Sequence, residues 1–376
     1  MLVVVIGAQT ANLVYAASEP SLLGTSGTWI INADQEVVLL RGVNYPGYEC
    51  TNRPKVHSEA NYRLFASMGF NVVRLPISWA LLEPRPGVFD ASYLTRYVSR
   101  DVEWARKYGL YVILDMHQFG WAKRFGGCGM PDWAAQAYPA TQAGMRQFVS
   151  KFWADNTLQN HLTEIWTKVA RTYANNPTIA GYDLLNEPMV YTSVISYLNA
   201  SHVNEFYLKV IRSIRTVDPN HIIFLEPANM FSNFEAGEKI VWSPHFYPLS
   251  FSSTYSSDAR RILDEDLMAK YKTFILKSKR PMWIGEFGAF MKDGTYQSWL
   301  QDAKGLFDKY QVGWAWWGFN TEYHNIPALL SSPSLSGGNL GSQVLSAPNA
   351  TSSASSKGSF LFSHTSNGAA SFMQQL

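Results

Sequence analysis

The chain has 376 residues, 47% of them hydrophobic, enough for one large α/β domain. A net charge of +2 and the lack of any Lys/Arg run exclude the electrostatic footprint of a nucleic-acid binder. With 13 Trp and 20 Tyr, aromatic surface is abundant, either for a core or for stacking on sugar rings.

Residues 1–17 are apolar and uncharged and end in Val14-Tyr15-Ala16-Ala17. They resemble the apolar part and cleavage region of a secretory signal without its basic leader. Secretion is the expectation, with a short apolar N-terminal strand as the alternative. Gln9, Thr10 and Asn12 interrupt the run too often for a transmembrane helix, so no stable membrane insertion is expected. Trp29, Ile30 and Ile31, then residues 37–40, flank the turn residues Asn32, Ala33 and Asp34 and predict a β-hairpin.

A rhythm then begins. Apolar runs at 39–45, 71–77, 111–117, 179–187, 221–226, 240–247, 282–287 and 312–317 read as strands. Helical periodicity fills 58–68, 93–108, 158–173, 203–217, 259–277 and 296–310. Gly69, Gly109, Asn175-Asn176-Pro177 and Asp218-Pro219 stop four of these helices. Strands alternating with helices imply a parallel sheet, and eight such units predict a closed (β/α)8 TIM barrel over 18–330. No Gly-x-Gly-x-x-Gly turn follows the first strand, so a dinucleotide is not expected, nor is any other cofactor.

The connection after the third strand, 118–156, is far longer than the rest and carries Trp121, Cys128, Trp133 and Trp153. Loops that follow barrel strands lie on the catalytic face, so this insertion either shapes the cleft or covers the barrel mouth as a structural subdomain. Cys50 and Cys128 are the two cysteines, too few for a thiolate zinc site, and form either a disulfide or two free thiols. Residues 331–376 turn Ser- and Gly-rich and read as a tail or the remnant of a C-terminal domain. Asn199 and Asn349 lie in glycosylation sequons.

Catalytic groups of a barrel project from the C-terminal ends of its strands. Those ends offer Arg74, Asp115 and His117, Asn186 and Glu187, Glu226, His245 and Tyr247, Glu286, and Trp317. Glu187, in Leu-Asn-Glu-Pro, and Glu286, in Gly-Glu-Phe-Gly, each close an apolar strand, the fourth and the seventh. Two carboxylates facing across a ring are the minimal machinery for glycoside hydrolysis, although each alone also fits a buried ion pair, for instance with Arg74. His117, His245 and a glutamate could meet a metal in principle, but no His-x-x-x-His spacing supports it and none is expected.

On Val-Val-Arg74-Leu-Pro, Leu-Asp-Met-His117, Asn186-Glu187-Pro188, His245-Phe-Tyr247, Gly-Glu286-Phe-Gly and Trp317, the chain resembles the cellulase-like retaining glycosidases of glycoside hydrolase family 5. The resemblance implies that Glu187 is the general acid/base, with a raised pKa, and that Glu286 is the nucleophile, kept ionised by Arg74 and Tyr247. It implies that Asn186 holds the sugar 2-hydroxyl, that His117 and His245 line the cleft and that Trp317 floors the sugar site. Asp115 suits an internal pair with His117, and Glu226 a structural or a substrate-contacting place.

Trp79, Trp121, Trp133, Trp153 and Tyr191 are candidate sugar platforms, although core packing is the default for any one of them. The partner is then a carbohydrate, a β-linked glucan or other glycoside, handled by a monomer. Endo-β-1,4-glucanase action is the first expectation, with β-mannanase and a non-catalytic carbohydrate-binding barrel as alternatives. Asp-Met-His-Gln, the loop Gly-Gly-Cys-Gly-Met-Pro-Asp-Trp and Leu-Glu226-Pro are also similar to the endoglycoceramidase-like branch. That branch carries an acidic residue where Phe119 stands and a β-sandwich where the Ser-rich tail stands, which leaves β-glucan ahead.

Overall fold

The computed structural model describes residues 19–50, 57–188, 200–227, 237–290 and 294–319. The signal-like segment, the Ser-rich tail, the sequon asparagines Asn199 and Asn349, and Tyr191 lie outside them. An antiparallel pair, β1 (Gly24–Ser26) with β2 (Trp29–Ile31), opens the fold. The expected second arm of the hairpin is reduced to a bridge between Ile31 and Val37. Gly27, at φ 55°, makes the tight turn between β1 and β2.

Eight parallel strands then follow chain order: β3 (Arg41–Asn44), β4 (Val72–Ile77), β5 (Tyr111–Met116), β6 (Ile179–Asp183), β7 (Ile222–Leu225), β8 (Ile240–Trp242), β9 (Trp283–Phe287) and β10 (Gly313–Trp316). Pairing is continuous from β3 to β8, and β10 joins β3 to β9. Parallel bridges Trp242↔Met282 and Phe246↔Phe287 bring β8 to β9 and close the barrel. Each predicted strand is present within its predicted run.

The barrel is filled in layers because strand side chains alternate between inside and outside. At its N-terminal end Leu40, Val72, Ile113, Ile222, Phe224, Val241, Trp283 and Ala315 form an interior cluster that Leu23 and Ile30 of the opening segment cap. The outward residues, among them Val43, Val73, Leu75, Leu114 and Leu225, pack with the helices into a second, larger core. Helix Asn156–Tyr173 shows why these helices form: Asp155 caps it by accepting from the Thr157 N–H, and Leu162, Ile165, Trp166, Val169 and Tyr173 make one buried stripe. Among the described residues no helix is long and apolar enough to cross a membrane.

Two strands break the alternation. Val112 pairs with Ile179 but Ile113 with Gly181, so β6 carries one extra residue. Trp314 pairs with Ile284 but Trp316 with Phe287, so β9 carries another. Such bulges re-aim side chains. With Trp283 inward and Ile284 outward, strict alternation would turn Glu286 away from the barrel axis; the bulge brings it in.

The insertion after β5 is a small aromatic-cored subdomain. It contains helices Asp132–Ala135 and Gln142–Ala154, neither of which the periodicity singled out. Trp121 packs against Phe148, Phe152 and Trp153 with ring centroids 6.0, 5.4 and 6.2 Å away. Cys50 and Cys128 are joined in a disulfide, which ties the loop after β3 to this insertion.

Candidate active site

Arg74 is the hub. It sits on β4 in the inward phase and is fully buried. All five of its N–H donors find acceptors. Nε donates to Asp183 at 3.0 Å, one terminal nitrogen to Asn44 at 3.0 Å and Glu286 at 2.8 Å, and the other to Asn186 and Glu226 at 3.0 Å each. Asp115 Oδ1 stands 3.0 Å from that last nitrogen. Burial alone would lower the guanidinium's pKa; the ring of carboxylates, Asp115 foremost, outweighs it and holds the group well above its ordinary value.

Glu286 is fixed on both oxygens. Arg74 reaches Oε1, and the Tyr247 hydroxyl donates to Oε2 at 3.0 Å. Both expected contacts are made. Burial nonetheless lifts the Glu286 pKa above its ordinary value, helped by the Glu187 charge and opposed by His245 and Arg74.

Glu187 follows β6 at the mouth of the barrel, and its side chain is 31% exposed against 6% for Glu286. His245 Nδ1 donates to Glu187 Oε1 at 2.9 Å and lies 3.4 Å from Glu286 Oε2, while its Nε2 lies 3.0 Å from Glu226. One oxygen of Glu187, one of Glu286 and a nitrogen of His245 all fall within 4.8 Å of one another. Donors at that spacing also suit a divalent cation, although here His245 spends its proton on Glu187.

The expectation of a raised Glu187 pKa is not met in the free site. Burial pushes the carboxyl up, but the His245 hydrogen bond and the charges of His245, His117 and Arg74 outweigh it and leave Glu187 below its ordinary value. His245 shifts the other way: burial opposes its charge, but Glu226, Glu286 and Glu187 hold the imidazole well above its ordinary value. Asp183 is driven well above its own value, by burial first, with Arg74 opposing. One guanidinium and two imidazoles face five carboxyl groups here, those of Asp115, Asp183, Glu187, Glu226 and Glu286.

The remaining candidates divide. His117 hydrogen-bonds to Asp115 at 2.7 Å and stacks on Trp317 at 5.2 Å with the rings 7° from parallel. Trp314 is core. Asn186 is engaged at both ends, accepting from Arg74 and donating to the Gln118 carbonyl at 2.9 Å.

Trp79 and Trp121 are corrections. Both are fully buried, Trp79 donating to Glu83 at 2.7 Å, and a buried indole face cannot stack on a sugar. Trp133 is half-buried, with its edge against Trp79 and its nitrogen donating to the Glu83 carbonyl at 2.9 Å. Trp153 is buried beside Trp121.

Sequence reasoning missed three members of the site. Asn44 donates to the Gly285 carbonyl at 3.0 Å and so braces the β9 bulge. Asp183 and Gln118 are the others, and Glu226 proves to be a support: its Oε2 accepts the Glu187 N–H at 2.7 Å. For Asn44 the available signal was a polar residue in the inward phase at the end of β3; Gln118 is out of that phase on its own strand, and the extra residue in β6 hid Asp183. The geometry also supplies exposed aromatic surface elsewhere: Phe251 and Phe290, 49% and 48% exposed, stack at 5.0 Å. Tyr247 touches both, at 5.9 and 6.2 Å.

The family model "Cellulase (glycosyl hydrolase family 5)" matches residues 31–322. A beta-xylosidase of Phanerodontia chrysosporium is 25% identical over 356 residues, covering 78% of this chain and 70% of that protein. The endoglycoceramidase of Hydra vulgaris is 25% identical over 321 residues, which span 70% of this chain and 58% of that protein. The solved structure of endo-glycoceramidase II from Rhodococcus sp. matches with a TM-score of 0.67 at 26% identity, over 80% of this chain and 76% of that one.

Proposed function

We propose that this chain, which belongs to the cellulase family, glycosyl hydrolase family 5, is a glycoside hydrolase that cleaves β-glycosidic bonds with retention of configuration. Glu286 attacks the anomeric carbon as the glycosidic C–O bond breaks, and Glu187 gives its proton to the leaving oxygen. Glu187 then takes a proton from water, the water oxygen attacks the same carbon, and the ester to Glu286 is released. The proton taken from water returns Glu187 to its acid form, and His245 Nδ1, 2.9 Å away, holds the carboxyl in place.

The short gap between the carboxylates carries this reading. Oxygens within 4.8 Å of one another fit the retaining separation of about 5–5.5 Å and leave no room for the water that an inverting pair holds. Glu187→Gln and Glu286→Gln are each expected to lower hydrolysis of a phenyl β-glycoside, whose leaving group needs the proton of the acid, by about 10²–10⁴-fold or more. Wild-type turnover in either variant would sink the assignment, as would a first product of inverted configuration by NMR.

The substrate carries an apolar leaving group, in the manner of a glycolipid. Exposed Phe251 and Phe290, contiguous with the Tyr247 that holds the nucleophile, support this over a glucan chain, because Trp79 and Trp121 are no longer available as sugar platforms. The endoglycoceramidases among the relatives point the same way. β-1,4-Glucan is the second reading, favoured by the family's description and by the half-buried Trp317 ring beside His117. A panel of glucosylated ceramide, carboxymethyl-cellulose, mannan, xylan and aryl β-glucosides separates them: activity on carboxymethyl-cellulose without activity on the ceramide would overturn the first. The Cys50–Cys128 disulfide supports secretion into an oxidising compartment.

A further inference from the structure

We propose that Gln118 is a positioning residue for Glu187, aiming its carboxyl by gripping its backbone; this rests on the acid/base role proposed above. Glu187 is a non-glycine residue at φ 40°, a strained left-handed conformation that persists only where the surroundings over-determine it. Two buried side chains do so. Gln118 Nε2 donates to the carbonyls of Asn186 and Glu187, both at 2.9 Å, and Glu226 Oε2 accepts the Glu187 N–H at 2.7 Å. The peptide groups on both sides of the Glu187 Cα are therefore held.

Gln118 is itself fixed. It is 1% exposed, its Oε1 accepts the Trp121 N–H at 2.9 Å, and Asn186 Nδ2 donates back to its carbonyl at 2.9 Å. The Asn186 N–H adds a bond to the Met116 carbonyl at 3.0 Å, so the ends of β5 and β6 are tied reciprocally. The side-chain hydrogen bonds of Gln118 go to main-chain groups, so its effect on the reaction passes through Glu187. Without the Nε2 donor, the peptide after Glu187 is released, φ relaxes toward negative values, and the carboxyl leaves its place beside His245 and Glu286.

Leaving-group chemistry distinguishes this clamp from a merely structural glutamine. Departure of a phenol needs the proton of the acid, whereas departure of 2,4-dinitrophenol does not. Gln118→Met keeps length and removes the donor; Gln118→Glu also keeps the acceptor for Trp121 and carries the test if the first variant fails to fold.

In kcat/KM, either variant is expected to lose about 10–100-fold on a phenyl β-glycoside and to stay within about threefold of wild type on the dinitrophenyl glycoside. Glu187→Ala, run alongside, is expected to show the same leaving-group dependence more steeply. Equal loss on both substrates, or no loss on either, overturns the clamp when Glu187→Ala is steep. A flat response of Glu187→Ala itself overturns the acid/base role, and the clamp falls with it.

Discussion

Arg74 is the cation with the most carboxylate partners in the site: Asp115, Asp183, Glu226 and Glu286, all buried, each lie within 3.0 Å of its guanidinium. Burial holds Asp183 and Glu286 above their ordinary values, and Arg74 is a main force pulling them down. Arg74→Met strands the carboxylates, and losing one partner of a buried ionic cluster costs about 3–5 kcal/mol. The sign of its pH dependence follows from linkage. Carboxyls whose folded pKa is raised bind protons more readily folded than unfolded, so the penalty is full at neutral pH and shrinks as pH falls through the raised values. Urea unfolding of wild type and variant at pH 7 and pH 5 measures this; a penalty equal at both would mean that lost packing, rather than stranded charge, destabilises the variant.

The strands of the barrel were legible as elements because each is a short apolar run ending in a polar residue, and Val-Val-Arg74-Leu-Pro needs little more than alternation to place Arg74 inside. Glu286 was legible as a residue but not in its orientation, since the β9 bulge that turns it inward is a pairing defect with no periodicity of its own. Helix Gln142–Ala154 was hidden among aromatics that suggested a sugar platform. Its signal was the Thr141 cap with Met145, Phe148, Val149 and Phe152 at helical spacing, and those side chains are core. The disulfide could not be deduced from two cysteines 78 residues apart, because pairing depends on where the insertion folds back. A loop of that length removes about 4.5 kcal/mol of unfolded-state entropy in the simplest chain model, and about 2–4 kcal/mol is typical in practice. A Cys50→Ser, Cys128→Ser double variant is expected to lose that much in a urea melt and to match wild type melted under reductant. A melt unmoved by either treatment would show that the cross-link contributes nothing to stability.

The barrel as a whole separates stability from chemistry along its axis. Its N-terminal end is a dry cluster plugged by Leu23 and Ile30, and its C-terminal end is the charged ring around Arg74. From Leu40, just before β3, to Asn44 at its end is four residues, roughly 13 Å at the ordinary strand rise. Ile30→Ala leaves a void in the plug and is expected to cost about 2–5 kcal/mol. Because Ile30 shares no partner with the ring, it should leave kcat/KM unchanged, and its cost should add to that of Arg74→Met within about 0.5 kcal/mol. Coupling well beyond that, from a double-mutant cycle in urea, would mean that plug and ring are one cooperative unit. Additivity with unchanged kcat/KM would mean that the interior layers insulate the site, so that sequence change in the plug alters stability without reaching the carboxylates.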